Sequence, residues 1–262
     1  MNLEVNYIDA FTDSIFGGNP AAIILIDEWL SDNLMQSIAA ENNLSETAFS
    51  VKNGDTFHIR WFSPLTEIDF CGHATLATAY VLFNKHTDID SLVFYAKAVG
   101  EFNVRKADSG FIQMSFPNRK PEPIDVIPDA LIHGLSIRPD EVLLNQQAYF
   151  AVYSSEEHVV NVRQDKEQLK KLKPYDVVVT AASQKYDFIS RYFWPANGGD
   201  EDPVTGSIHA GLAPYWAEKL GKPILQAFQA SKRGGDLFCS IEGDIVKISG
   251  KAVKYMSGII SI

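Results

Sequence analysis

Cys71-Gly72-His73-Ala74-Thr75-Leu76-Ala77 decides the reading of this chain, because Thr205-Gly206-Ser207-Ile208-His209-Ala210-Gly211 repeats it half a chain later without a gap. The register extends outward. Glu67 falls opposite Glu201, Gly72 opposite Gly206, and Tyr80 one residue from the partner of Tyr215. In each copy a loop carrying an acid and a glycine leads into an Ala-rich amphipathic run, which predicts a helix. A glycine just before a helix lets the backbone approach a ligand closely. The N–H groups of the first turn lack an intrahelical acceptor and favour an anion. Two such helix mouths suggest two half-sites sharing one small, negatively charged molecule. That is an enzyme's arrangement more than a scaffold's.

Composition sets the outer bounds. With 262 residues, 46% of them hydrophobic, the chain can bury a large core and divide into two domains. A charged fraction of 21% and ordinary glycine and proline levels exclude a disordered chain or a fibre. The formal net charge of −10 argues against a nucleic-acid surface, which needs clustered Lys and Arg. The N-terminal residues Met1 to Val5 show no signal-peptide pattern, and runs such as Pro20 to Ile26 are too short to span a bilayer. Cys71 and Cys239 make no disulfide framework, so the expected location is the cytoplasm. No His/Cys cluster has metal-ligand spacing; His86, His133 and His158 each stand alone. The expected metal complement is none.

Strand-like runs dominate the first half, at Val5 to Phe11, Ala21 to Ile26, Glu46 to Val51 and Thr56 to Phe62. Phe16-Gly17-Gly18-Asn19-Pro20 joins the first two, and Asn53-Gly54-Asp55 makes the last two a hairpin. Helical spacing covers Ser31 to Asn43 and about Gly72 to Phe83, with strands near Leu92, Phe102 and Ile112. Pro117-Asn118-Arg119-Lys120-Pro121-Glu122-Pro123 reads as a linker. It sets domains at 1–117 and 118–251, the first joined by a last strand within 252–262. Past it, short helices are expected near Asp129 to Gly134 and Lys166 to Leu172. Strands are expected at Gln147 to Tyr153, His158 to Val162, Val177 to Ala181 and Phe188 to Trp194. The second motif helix runs from about Ser207 to Leu220, stopped by Gly221 and Pro223, before three strands between Ile224 and Ile248. Each half is a strand-rich unit with one long helix, an α+β arrangement rather than a parallel βαβ series.

Several side chains can carry chemistry, each with a plainer reading beside it. Glu46, followed at once by Thr47-Ala48-Phe49, is a candidate buried base whose pKa desolvation would raise, or else a solvated loop acid. Asp202, in Asp200-Glu201-Asp202-Pro203, either complements the following helix or holds a cationic group such as a substrate amine. His73 and Ser207 occupy matched positions just after the glycines, so each can donate toward the ligand, and His73 can relay a proton. His209 lies off the mouth and reads as packing. Cys71 can be a thiol with a lowered pKa or a small buried residue; its counterpart is Thr205, which disfavours a two-thiol racemase. Gln229, in the turn through Ser231-Lys232-Arg233-Gly234-Gly235, and Asn19 either shape turns or hold a carboxylate.

Taken together, these segments resemble the phenazine-biosynthesis PhzF family, relatives of diaminopimelate epimerase. The resemblance rests on Asp9-Ala10-Phe11-Thr12 with Gly18-Asn19-Pro20, and on Asn43-Leu44-Ser45-Glu46-Thr47. It continues through Cys71-Gly72-His73-Ala74-Thr75 and Glu201-Asp202-Pro203-Val204-Thr205-Gly206-Ser207 to Gln229 with Ser231-Lys232-Arg233-Gly234-Gly235. It implies two pseudo-symmetric domains, each a barrel-like, mostly antiparallel sheet around a central helix, with the active site in the cleft between them. A homodimer without cofactor is implied as well. Glu46 falls where the family's proton-shuttling glutamate lies, Gly72 and His73 on the first ligand-binding mouth, Asp202 on the residue facing a substrate amine, and Gly206 and Ser207 on the second mouth. Cys71 and Thr205 replace the cysteine pair of the epimerase relatives. The expected function is a cofactor-independent isomerase moving a proton within a small, cyclic carboxylate. Its alternatives are a racemase or epimerase of amino or hydroxy acids, a non-catalytic metabolite-binding homodimer, and an interaction protein. The expected partner is a small anionic metabolite, with no nucleic acid and no membrane.

Overall fold

A computed structural model describes residues 1–262, with the backbone alone described at residue 108. In chain order the first half comprises β1 (Asn2–Ala10), β2 (Asn19–Ile26), α1 (Asp32–Asn42), β3 (Glu46–Asn53), β4 (Thr56–Phe62), β5 (Glu67–Ile68), α2 (Gly72–Lys85), β6 (Ser91–Ala96), β7 (Gly100–Lys106) and β8 (Ile112–Pro117). The second comprises β9 (Glu122–Pro123), α3 (Asp129–Gly134), β10 (Glu141–Leu144), β11 (Ala148–Tyr153), α4 (Glu156–Asn161), α5 (Lys166–Leu169), β12 (Asp176–Ala182) and β13 (Phe188–Phe193). It continues with β14 (Glu201–Asp202), α6 (His209–Leu220), β15 (Ile224–Gln229), β16 (Gly235–Glu242), β17 (Ile245–Gly250) and β18 (Ala252–Ser261). Two compact units result: Met1–Ser115 with Ser249–Ile262, and Phe116–Ile248.

The units repeat one pairing scheme. In the first, β18, β1 and β2 are antiparallel neighbours, β2–β3 is parallel and β3–β4 antiparallel. β4 then takes β5 antiparallel and β6 parallel, and β6–β7–β8 is antiparallel. In the second, β9–β10–β11 is antiparallel, β11–β12 parallel and β12–β13 antiparallel. β13 takes β14 antiparallel and β15 parallel, and β15–β16 is antiparallel. Each unit is thus a mostly antiparallel, barrel-like sheet around a helix, and the fold class is α+β with two pseudo-symmetric domains.

In the first unit the enclosed helix is α2, which packs against β1, β2, β3, β7 and β18. Every residue from Gly72 to Ala79 is buried, as befits a helix surrounded on all sides. Small side chains let the sheet close on it. Its polar Thr75 and Thr78 donate to the carbonyls of Cys71 (2.6 Å) and Ala74 (2.7 Å), so no hydroxyl is stranded. In the second unit α6 carries Pro214, which cannot donate to the carbonyl of Ala210. The backbone N–H of Arg119 donates to that carbonyl instead, at 3.0 Å. Gly211 makes room for this strap: a Cβ there would lie 3.0 Å from the Arg119 carbonyl oxygen and 2.6 Å from the Phe150 ring.

Two expectations needed correction. His158 to Val162 is not a strand; most of it lies in α4. Its Val-rich sequence favours a strand, but Ser155 caps the segment by accepting from Glu157 N (3.2 Å), and Glu156 and Glu157 complement the first turn. The second motif helix starts at His209 rather than Ser207, because the preceding turn is wound tighter. His209, Ala210 and Gly211 donate three residues back, to Gly206, Ser207 and Ile208. Strand β10 was not anticipated. Among the described residues no helix is long and apolar enough to cross a membrane.

Two stability predictions follow from buried positions. Gly18 has φ +60, and a Cβ there would lie 2.0 Å from the carbonyl oxygen of Ala10. Gly18→Ala is expected to cost about 2–5 kcal/mol, combining left-handed strain with overpacking, read as a lowered urea midpoint. His209 is fully buried, with Nδ1 2.9 Å from the carbonyl of Thr205 and its ring against Phe188. Burial pushes its pKa down from 6.5 to about 4, against the opposing hydrogen bond to Thr205. The unfolded chain therefore takes up this proton first as pH falls. Stability is full above pH 6.5 and is lost progressively down to about pH 4, by roughly 3 kcal/mol. Urea titrations across that window should show the slope in the wild type and a flatter dependence in His209→Gln.

Candidate active site

Strand register places Glu46 as the first residue of β3, opposite Ala21 of the parallel β2. Two residues before Ala21, Asn19 opens β2, while Cys71 and His73 bracket Gly72 at the start of α2. All four side chains are buried and converge. His73 Nε2 lies 2.9 Å from Glu46 Oε2, and His73 Nδ1 lies 3.1 Å from Asn19 Nδ2 and 3.4 Å from Cys71 Sγ. Burial alone would lower the His73 pKa, but the acidic partners Cys71 and Glu46 outweigh it and raise it well above 6.5. Burial and then the Glu46 charge push the Cys71 thiol up to about 11, against His73 and the Ala74 N–H. Glu46, Cys71 and His73 thus form one buried, electrostatically coupled group, in which the place of each proton depends on the others.

The second unit builds a corresponding group around its own motif. Gln147, just before β11, donates from Nε2 to Ser207 Oγ (3.0 Å), as Asn19 at the start of β2 meets His73. The same amide also donates to Tyr192 OH (3.2 Å), and Tyr192 donates in turn to Asp176 Oδ2 (2.7 Å). Asn197 Nδ2 donates to the other Asp176 oxygen at 2.8 Å. Polarity along this relay is fixed: the carboxylate forces the phenol to donate, so the phenol oxygen accepts from Gln147. Ser207 Oγ likewise accepts from Gln147, which leaves the serine hydroxyl proton to be donated elsewhere. Burial is the leading cause raising both the Asp176 and Tyr192 pKa values, the latter well above the ordinary phenol value. Asp202, in β14, accepts from Thr205 Oγ1.

The profile of the phenazine biosynthesis-like protein (PhzC–PhzF) family matches residues 8–258, nearly the whole chain. The chain belongs to this family. It is 48% identical over 258 residues to an uncharacterized isomerase of Pseudomonas aeruginosa, covering 98% of each sequence. A crystal structure of a PhzF-family phenazine biosynthesis protein from Enterococcus faecalis superimposes with a TM-score of 0.95 at 41% identity, covering both chains completely. The fold extends further. A hydroxyproline epimerase from Agrobacterium vitis, 10% identical, gives a TM-score of 0.60 over 99% of this chain and 92% of its own. With relatives at this level named isomerases, this PhzF-family chain is an enzyme of that class.

Among the residues singled out from the PhzF-family motifs, Glu46, His73, Gly72 and Asn19 come together in the first unit. Asp202, Gly206, Ser207 and Gln229 come together in the second. Gln229 acts as a latch: Oε1 accepts from Thr205 N (2.9 Å) and Nε2 donates to the Asp202 carbonyl (2.8 Å), holding the loop before α6. Ser231 Oγ braces the same loop by donating to the Pro203 carbonyl at 2.7 Å. Glu46 is buried as expected, but it faces an imidazole, and Cys71 is more than packing because its sulfur completes that cluster. Glu46, Cys71 and His73 bring ligand atoms within 4.8 Å of one another, a grouping that sequence spacing hides because Glu46 sits on a different element. Sequence reading missed Asp176, Tyr192 and Gln147. Carried upstream without a gap, the repeat sets Glu46 opposite Thr180, so it does not find Asp176; strand register does, since Asp176 opens β12 opposite Ala148 just as Glu46 opens β3 opposite Ala21.

Proposed function

We propose that this PhzF-family protein is a cofactor-independent isomerase that moves a proton within a small, cyclic carboxylate by glutamate acid/base catalysis. The observation that carries the reading is the buried 2.9 Å contact between Glu46 and His73 at the mouth of α2. Glu46 takes a proton from a carbon made acidic by a neighbouring unsaturated or carbonyl group. His73, protonated at the start of the cycle in this scheme, gives its proton to a second carbon of the same molecule. Transfer of the abstracted proton from Glu46 to His73 across their contact then restores both groups, and no proton is gained or lost overall. Gly72 and Gly206 present helix-start N–H groups to the substrate carboxylate, Ser207 donates its hydroxyl proton, and Asp202 faces a cationic group. The proposal assigns both motif copies to one substrate in an interdomain cleft, on the strength of their gap-free repeat and the family resemblance. The same resemblance supports a homodimer, and the cysteine usage supports a cytoplasmic location. Epimerisation through two thiols is disfavoured, because Cys71 is held protonated and its counterpart is Thr205.

The test is a screen of small amino- and hydroxy-carboxylates in heavy water, followed by NMR. The expected result is deuterium entering one carbon of a substrate whose double bond or carbonyl has shifted. Exchange with inversion at a stereocentre and no such shift would replace this reading with epimerisation. Tight binding without exchange would replace it with a binding role.

A further inference from the structure

We infer that Asp176 and Tyr192 are positioning residues that act through the Gln147 amide to keep the Ser207 hydroxyl proton available to an anionic ligand. This role rests on the proposed binding of an anion by Ser207 and deepens that reading. Location is the first observation. Tyr192 stands opposite Asp202 in the β13–β14 pair, and the chain passes from Asp202 into the loop that carries Ser207. The second is that one nitrogen serves two hydroxyls: Gln147 Nε2 lies 3.0 Å from Ser207 Oγ and 3.2 Å from Tyr192 OH. A side-chain amide has two protons on nitrogen and two lone pairs on oxygen. Either end can therefore meet two hydroxyls, and the hydroxyls decide which.

Tyr192 has a single proton to place. Asp176 Oδ2 takes it at 2.7 Å, and Asn197 Nδ2 donates to Asp176 Oδ1 at 2.8 Å, so both oxygens of Asp176 accept. The phenol oxygen is left as an acceptor, the amide presents its nitrogen, and Ser207 Oγ accepts from that nitrogen. Without the Asp176 acceptor the arrangement inverts. Tyr192 is only 4% exposed, so its proton must find a partner, and the Gln147 oxygen of a rotated amide is the one at hand. The same oxygen then accepts from Ser207, whose proton turns inward and is lost to the ligand. Removing the phenol hydroxyl as well ends the demand for that oxygen. A ligand's own acceptor can then draw the serine proton outward, and the amide returns its nitrogen to Ser207.

The test variant is Asp176→Leu, which fills the space and offers no acceptor. Asn197 Nδ2 keeps its bond to the Pro174 carbonyl at 3.1 Å, so the neighbouring loop stays tied. Protein labelled with ¹⁵N at glutamine reads the amide by NMR without any substrate. In the wild type both Gln147 side-chain N–H protons should be shifted downfield and slow to exchange with solvent. Asp176→Leu should lose both properties, and Asp176→Asn, which still offers Tyr192 an oxygen, should keep them. Gln147 protons that stay as in the wild type in Asp176→Leu would overturn the inference. With a substrate from the deuterium-exchange screen, Asp176→Leu should lower kcat as far as Ser207→Ala does, by about 10²–10³-fold for one lost donor, and should add nothing to Ser207→Ala. Adding Tyr192→Phe to Asp176→Leu should restore most of the rate, which a merely structural role of the two residues would not produce. A further fall in the double variant would overturn the inference. The NMR arm reads positioning alone, so a screen that finds no exchanging substrate removes the isomerase reading and leaves this one to be decided by the amide protons.

Discussion

Replacing Glu46 with glutamine is expected to lower substrate deuterium exchange by about 10²–10⁴-fold while leaving the protein folded, the range supplied by one positioned acid–base group. Glutamine has nearly the same shape, so β3 should keep its register and its burial. What is lost is a carboxylate oxygen 2.9 Å from His73 Nε2. With that carboxylate gone, one of the two groups that raise the His73 pKa against burial is removed, Cys71 being the other, and the pKa should move down. The variant therefore loses the base and weakens the hold of the imidazole beside it on its proton. NMR of the His73 ring across pH tests the second half of this expectation without a substrate. An unmoved titration would show that Glu46 does not control His73, and wild-type exchange would remove Glu46 from the mechanism.

Arg191→Met is expected to destabilise the second unit by about 2–4 kcal/mol, whereas Arg60→Met should cost the first only about 1 kcal/mol. The two arginines occupy equivalent strands and make equivalent forks. Arg191 donates to both oxygens of Glu201 at 2.7 and 2.9 Å, and Arg60 to both oxygens of Glu67 at 2.7 Å. Each also lies over an aromatic ring, Phe193 at 5.0 Å and Phe62 at 5.2 Å. They differ in burial and in further partners. Arg191 and Glu201 are 15% and 22% exposed, and Arg191 Nη1 also donates to the carbonyls of Val159, Val160 and Val162 at 2.8–3.2 Å. Removing it strands a largely buried carboxylate and frees the end of α4. Arg60 is 24% exposed, and its acids Glu67 and Asp32 are 43% and 78% exposed, so water replaces it readily. Denaturant midpoints of the two variants measure the difference. Equal losses would mean that the fork geometry, and not its burial, sets the stability.

The repeated Arg–Glu fork explains why so much of the fold was legible. Glu67 and Glu201 were already in register with the glycines, and the structure gives them the same partner type on the same strand of each unit. The hairpin at Asn53-Gly54-Asp55 and the stop at Gly221 were legible because local turn chemistry decides them; Gly54 and Gly221 both have positive φ. Local signals misled at α4, where valines outweighed the Ser155 cap in the reading. They were too short at β10, four residues long. In the site, Glu46 and His73 stood out through motif context, but their contact is tertiary and no spacing announces it. Asp176 follows Pro174-Tyr175 and opens an ordinary apolar strand, so nothing local distinguishes it from a strand-edge acid. Only the parallel register of β11 and β12 marks it as the counterpart of Glu46.

The pairing of β18 with β1 runs from Asn2 opposite Ser261 to Ala10 opposite Ala252, and Ile262 N donates to the Met1 carbonyl at 2.8 Å. The first unit's sheet therefore waits for a strand supplied from beyond the second unit, so the half made earlier is finished later. The later half can close while the earlier one still lacks a strand. A short peptide joining the two ends, with new ends opened in an outlying turn such as Asp108-Ser109-Gly110, would reverse that order of assembly.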